Sequence, residues 1–296
     1  MDHLQTALRN VGTNPHRLIY TTTAATAVVA LLAYSRHCYV AWHALGEGGI
    51  PHSPRGWLLN VLAHLVARRD PRAVPAPYEK STPSPSATTF SLSATEESRY
   101  TPYAKESHLK PLPPRSSPRP LVPGTVIPQR QTSETASSST VSRQNAYLAS
   151  LARSNPSLFA IKPSALESPK FTALWLSPSP SPSSSASENV DLEQAKWLPP
   201  RARGETAHVH AEGSAHVCLS LPDAAEVVRK GWGERHRMSG VGTMLPWGYV
   251  LLYAPREDEG KGGSHEDWQV WKTIVVAAAR VVAKSAGFEG EIVVPE

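Results

Sequence analysis

Residues 204–221 read GETAHVHAEGSAHVCLSL, two alternating runs on either side of a short break. In the first run Ala207 and Val209 share one face, and Thr206, His208 and His210 share the other. In the second, Val217, Leu219 and Leu221 oppose His216, Cys218 and Ser220. A period of two is the signature of a half-buried strand. A hairpin must keep its apolar faces together, because a one-residue slip turns every side chain over. That condition selects a five-residue connection, which pairs His210 with His216 and His208 with Cys218. Opposed residues in a hairpin hold their Cβ atoms about 5 Å apart. Three imidazoles and a thiol therefore share one patch, turned away from the hydrophobic side.

Downstream of the hairpin, Pro222 suits a first helical turn, and Asp223 with Glu226 has capping-box spacing. Gly231 ends that helix. Residues 248–253 (GYVLLY) read as a third strand, and 267–284 as a last helix with Trp271, Ile274, Val275, Ala278 and Val282 on its inner face. Upstream, FTALWLS at 171–177 reads as another strand. The fold class is α+β: a small antiparallel sheet with helices packed on one face, preceded by a single N-terminal transmembrane helix.

That helix is read at 18–35, LIYTTTAATAVVALLAYS, an uncharged run at the short end of what spans a bilayer. A cleaved signal peptide is the rival reading, but Tyr34, Arg36, Tyr39 and Trp42 follow at once, as an interfacial belt does. Arg9 and Arg17 precede the run, and Arg36, Arg55, Arg68, Arg69 and Arg72 follow it. This asymmetry favours a cytosolic C-terminal body. The expected layout is a tail at 1–17, the anchor, and a juxtamembrane segment at 36–79. Within that segment, a short helix at 57–66 lies on the membrane surface or on the domain. Residues 80–140, rich in Ser, Thr and Pro, read as a disordered linker; order begins at 141–176. A second disordered loop follows at 177–190, and the main domain at 191–290.

The chain carries 28 Pro against 4 Phe and has a net charge of +5. Its basic residues are spread thinly rather than interleaved with aromatics, which argues against nucleic-acid binding. The two cysteines, Cys38 and Cys218, lie in different parts of the chain, so no disulfide framework is expected.

The pieces GETAHVH, SAHVCLSL, EVVRKGWGERH (226–236) and GYVLLYAPRE (248–257), in that order, resemble the fungal luciferase family. GEGGIPHSPRGWLLN (46–60) and NPSLFAIKPSALESPKF (155–171) resemble it less sharply. The resemblance implies a membrane-tethered oxygenase of a hydroxylated pyrone, with O₂ as co-substrate, loss of CO₂ and, in luminous members, light. Most relatives come from organisms that do not glow, so luminescence is not expected here. The matching polar positions are Glu205, His208, His210, His216, Trp232, Arg235, His236 and Arg256; Cys218 departs from the pattern.

Three functional readings remain open. In a cofactor-free oxygenase, His208, His210, His216 and His236 supply the base that forms the enolate of a pyrone or phenolic substrate. Arg235 or Arg256 then stabilises the anion, Trp232 and Tyr253 offer flat surfaces, and Glu205 joins the binding set. In the second reading His208, His210 and His216 hold a metal ion. The third is a membrane-tethered binding module with no catalysis.

Overall fold

The computed structural model describes residues 15–74, 98–177, 190–256 and 264–296. Its helices are α1 (Pro15–His43), α2 (Pro54–Ala63), α3 (Ser138–Ser154), α4 (Leu221–Arg229) and α5 (His265–Ser285). Its strands are β1 (Phe159–Pro163), β2 (Thr172–Leu176), β3 (Glu205–Val209), β4 (Ala215–Cys218), β5 (Gly233–Arg235) and β6 (Tyr249–Leu252). They form one antiparallel sheet in the order β1-β2-β3-β4-β6-β5, so the hairpin read from the sequence lies at the centre and β1 and β5 are the edges.

The hairpin register is corrected. His208 pairs with His216 and Ala207 with Val217, a shift of two residues from the expected pairing. The loop is shorter than expected because Gly213 takes φ +90°, and the His210 N–H donates to the Ser214 carbonyl. A three-residue hairpin loop needs a left-handed residue at this place, and glycine supplies it. A shift of two preserves parity, so the three imidazoles still share a face. A side chain at Gly213 would also put its Cβ 2.4 Å from that of Ala136. Gly213→Ala is expected to lower stability by about 2–4 kcal/mol, from left-handed strain plus overpacking. A urea midpoint equal to the parent's would refute this loop geometry.

One sheet face meets α3 and α5. Ala207, Val209, Ala215, Val217 and Val250 pack there against Ile274, Val275, Ala278 and Val282, all buried. Trp268 and Trp271 stack on one another with centroids 5.3 Å apart, and Tyr147 of α3 meets both edge-on. The cap of α4 is Ser220, whose hydroxyl accepts the Asp223 N–H. Asp223, expected as the cap, instead accepts from the Ser107 hydroxyl at 2.6 Å and the His108 N–H at 3.0 Å. Its buried carboxylate thus pins residues 107–109 to the domain.

The other sheet face, which carries the imidazoles, is covered as well. Residues 46–49, 126–131 and 164–168 cross it without regular structure. Gly49 passes so close to the Leu166 carbonyl that a Cβ there would sit 2.2 Å from the oxygen. The linker expected over 80–140 is therefore corrected from 98 onward: Leu112, Arg115, Val126, Gln129, Arg130 and Gln131 are all buried. Side chains satisfy the irregular backbone. The Gln131 amide oxygen accepts the Ala254 N–H, and the Asn60 amide oxygen accepts the N–H groups of Val126 and Ile127. Residues 80–97 and 178–189, also expected to be disordered, lie outside the described residues, as do 75–79 and the 1–14 tail.

At the N-terminus, α1 is long and apolar enough to cross a membrane over His16–His43, and its most apolar stretch has no buried residue. Both cysteines are free.

Candidate functional site

β3 and β4 bring His208, His210 and His216 to the covered face, with ring centroids 4.8–5.4 Å apart. All three are at most 1% exposed. A fourth group faces them from the irregular cover: one ligand atom each from Glu167, His208, His210 and His216 lie within 4.8 Å of one another. Glu167 Oε1 is 4.0 Å from both His210 Nε2 and His216 Nε2. Among the described residues, no hydrogen bond reaches Nε2 of His208, His210 or His216. Orphaned buried polar atoms are rare and call for an explanation.

Their outer partners fix the tautomers. His208 Nδ1 lies 2.7 Å from Glu205 Oε1, and an ionised carboxylate only accepts, so Nδ1 carries the proton and Nε2 the lone pair. Burial works against the charge on Glu205. Hydrogen bonds from His208, Ser164 and the Ala165 N–H nevertheless hold its proton affinity below the usual carboxylate value. A register break in the β2–β3 pairing lets Glu205 share the His208 side although it is three residues away; bulges beside sites often re-aim side chains this way. His210 Nδ1 meets the Ser214 hydroxyl at 2.9 Å, and that hydroxyl donates to Glu212. The Ser214 oxygen is left to accept, so His210 also protonates at Nδ1 and presents the Nε2 lone pair. Burial first, and then neighbouring positive groups including Arg130, push the proton affinity of His210 and His216 well below the ordinary imidazole value. Neutral imidazole is the form that ligates metals, and a ring whose proton affinity is lowered in this way is a weakened base.

Arg130 sits behind Glu167, donating to both carboxylate oxygens, at 2.8 Å and 3.3 Å. It is itself buried, and it also holds the Glu47 carbonyl. Burial opposes its charge, but the Glu167 carboxylate outweighs that and raises its proton affinity.

His236 completes the group of rings, 5.2 Å from His216, and Tyr249 stacks on His216 at 4.7 Å. The Met238 N–H donates to His236 Nδ1, which leaves His236 Nε2 as an N–H donor rather than a ligand. Burial, with help from Arg130, depresses its pKa to about 3, so it is neutral at any physiological pH. A pocket of about 480 Å³ opens beside these groups. Ile50, Ile127, Leu166, Met238 and Leu245 form its apolar wall, and Glu167, His236 and Tyr249 its polar floor. This is an ordinary size for a small-molecule site.

The remaining sequence candidates are each engaged in a structural contact. The Trp232 indole donates to the Pro113 carbonyl at 2.7 Å inside the core. Arg235 donates to the Asp70 and Ala73 carbonyls and fastens the 70–73 segment. The Tyr253 hydroxyl donates to Glu234, and Arg256 grips Asp267 with two hydrogen bonds. Glu205, expected against substrate, instead orients His208. Cys218 is buried on the histidine face; burial raises its proton affinity far above the usual thiol value, so it is not a nucleophile. Glu167 was missed, because it comes from a loop some forty residues upstream with no spacing signal of its own.

Residues 203–278 match the family model described as Luciferase domain. The chain is 27% identical over 263 residues to a protein named Luciferase from Armillaria mellea, covering 82% of this chain and 83% of that one. It is 30% identical over 172 residues to Luciferase from Armillaria ostoyae, covering 52% of this chain and 58% of the relative. Over 62 residues it is 40% identical to Luciferase from Neonothopanus nambi, covering 20% and 23%. No solved structure matches the chain. The matched span contains the histidine hairpin, the GWGERH segment and most of α5, and it is over these residues that the chain is similar to the luciferase domain family.

Proposed function

We propose that this protein is a membrane-anchored, metal-dependent oxygenase of a hydroxylated pyrone or phenolic. The observation that carries the reading is the convergence of three unpaired Nε2 atoms and a Glu167 oxygen on one buried point. Ligand atoms about 2 Å from a shared ion lie at most about 4 Å apart, so shifts of well under 1 Å complete the set. Imidazole and carboxylate together suit a divalent first-row transition metal. Such an ion, held by Glu167, His208, His210 and His216, would supply Lewis acidity toward an oxygen of the substrate.

The chain's own residues do the rest. Glu205 and Ser214 hold the lone pairs of His208 and His210 inward, in the arrangement by which outer carboxylates orient metal-binding imidazoles. His236 Nε2–H donates to a substrate oxygen in the pocket, and Tyr249 offers a ring edge beside it. In the reaction that the resemblance implies, the pyrone takes up one O₂ and loses one CO₂, and the remaining oxygen stays in the product. The substrate supplies all the electrons, so no further reductant is needed. The cofactor-free reading asks His210, His216 or His236 to act as a base, and burial lowers the proton affinity of each.

The test is metal content of the purified full-length chain, with oxygen uptake on a hydroxylated pyrone before and after chelation. One bound ion per chain, with uptake lost on chelation and restored by Fe(II) or Mn(II), supports the reading. Undiminished uptake in a metal-free sample refutes it. Glu205→Gln keeps an acceptor but removes the charge, and is expected to weaken metal affinity by about 10–100-fold, measured by chelator competition. Equal affinity would mean that Glu205 does not tune the site.

The anchor reading belongs to the same proposal: α1 crosses the bilayer and the body lies in the cytosol, on the side of the greater Arg count. Protease added to sealed vesicles should then digest the body when it faces outward.

A further inference from the structure

α2 is amphipathic the wrong way round for a soluble protein. Its buried side carries Gly56 and Asn60, and Asn60 is spent on the backbone of Val126 and Ile127. Its outer side carries Leu58, Leu59, Val61 and Leu62, all exposed, and the following turn exposes Leu65 by 82% and Val66 by 57%. Basic residues flank this surface, Arg55 at one end and Arg68 and Arg69 at the other. A rigid apolar face with cationic ends is the signature of a helix lying in a membrane interface.

Two further observations name the partner. The last turn of α1 meets this element directly: Tyr39 and Trp57 rings lie 6.0 Å apart, and His43 stacks on His52 at 3.8 Å. α2 therefore begins where α1 ends, which is where an anchored chain leaves the bilayer. The pocket rim is tied to the same place. The Trp42 indole donates to the Ile127 carbonyl, and Arg68 donates to the Gly240 carbonyl. Gly49 and Ile50, just before α2, line the pocket, and so does Met244, which is 55% exposed.

We infer that the outer face of α2 and the 64–66 turn lie in the headgroup region of the bilayer that α1 crosses, and that the pocket beside Glu167 and His236 fills from that bilayer with a lipid-soluble planar substrate. The inference rests on the anchor reading above, and not on the metal. Entry through lipid suits the apolar wall of Ile50, Ile127 and Met244, and it spares a poorly soluble aromatic from crossing water.

The experiment uses full-length protein in phosphatidylcholine nanodiscs with Cys38→Ser. Single cysteines replace Leu65, Met244, Val29 or Val293 and carry a bimane fluorophore. Val29 lies mid-way along α1, and Val293 is an exposed residue tied to the end of α3, on the helix layer. Nitroxide lipids with the spin near the headgroup should quench the Leu65 and Met244 probes about twofold, since an interfacial helix sits ~5–10 Å deep. The Val293 probe should be unaffected, and the Val29 probe should answer to a nitroxide deep in the chain. Quenching at Val29 with Leu65 and Met244 behaving like Val293 overturns the inference while the anchor stands. Quenching at Leu65 but not Met244 overturns entry from lipid. No quenching at Val29 overturns the anchor reading itself, and this inference with it.

Discussion

His216→Leu is expected to abolish metal binding and oxygen uptake while leaving the metal-free protein as stable as the parent, or more so. His216 is at the centre of the cluster, in ring contact with His208, His210, His236 and Tyr249. It is fully buried, and its Nε2 has no hydrogen-bond partner among the described residues. A buried polar group left unsatisfied costs about 1–3 kcal/mol. Leucine removes that cost, keeps most of the volume, and adds apolar surface worth about 1.5–3 kcal/mol when buried. The folding terms therefore cancel or favour the variant. The binding term does not, because loss of a direct ligand should exceed the roughly 10–100-fold cost of losing an outer partner. A residue kept for packing would show the opposite pattern. Isothermal titration with Mn(II) and a urea melt of each protein separate the two; a variant that binds metal like the parent would sink the proposed centre.

Arg130→Met is expected to have the largest effect on stability, about 3–5 kcal/mol in the absence of metal. The cause is Glu167, which the substitution strands as a buried carboxylate beside apolar walls and neutral imidazoles. The loss should be partly recovered by metal, because a bound cation compensates the same charge. At a ligand concentration of about 100 times Kd, mass action alone returns about 2.7 kcal/mol. Detergent melts with and without Mn(II) test both parts. An Arg130→Met protein that melts with the parent in chelator would show that the pair is not holding the cover in place.

How much of this was legible in residues 204–221 depends on which property is asked about. Alternation fixed the strands and put the three imidazoles on one face, and parity protects that conclusion against any even shift of register. The pairing itself was not legible, since Gly213 closes a shorter loop that alternation cannot distinguish. Burial of the face was hidden too. Its cover, around 126–131 and 164–168, is irregular chain held by Gln129, Arg130, Gln131 and Asn60, and its Ser- and Pro-rich surroundings carry no period. Glu167 belongs to that cover, so the carboxylate that faces the three histidines was hidden with it. Family likeness marked Trp232, Arg235 and Arg256, yet their partners show fastening roles: an indole to Pro113, a guanidinium to Asp70 and Ala73, and a fork to Asp267.

The two outer strands of the sheet bear on how closely copies of this chain can crowd together. Open strand edges invite self-association by backbone pairing. β5 is three residues long, and the Arg235 N–H is already given to the Pro71 carbonyl. β1 ends in Lys162 and Pro163, both exposed, one a charge and the other lacking an N–H. Neighbouring molecules at high density thus meet blunted rims instead of templates, which opposes their growth into fibrils.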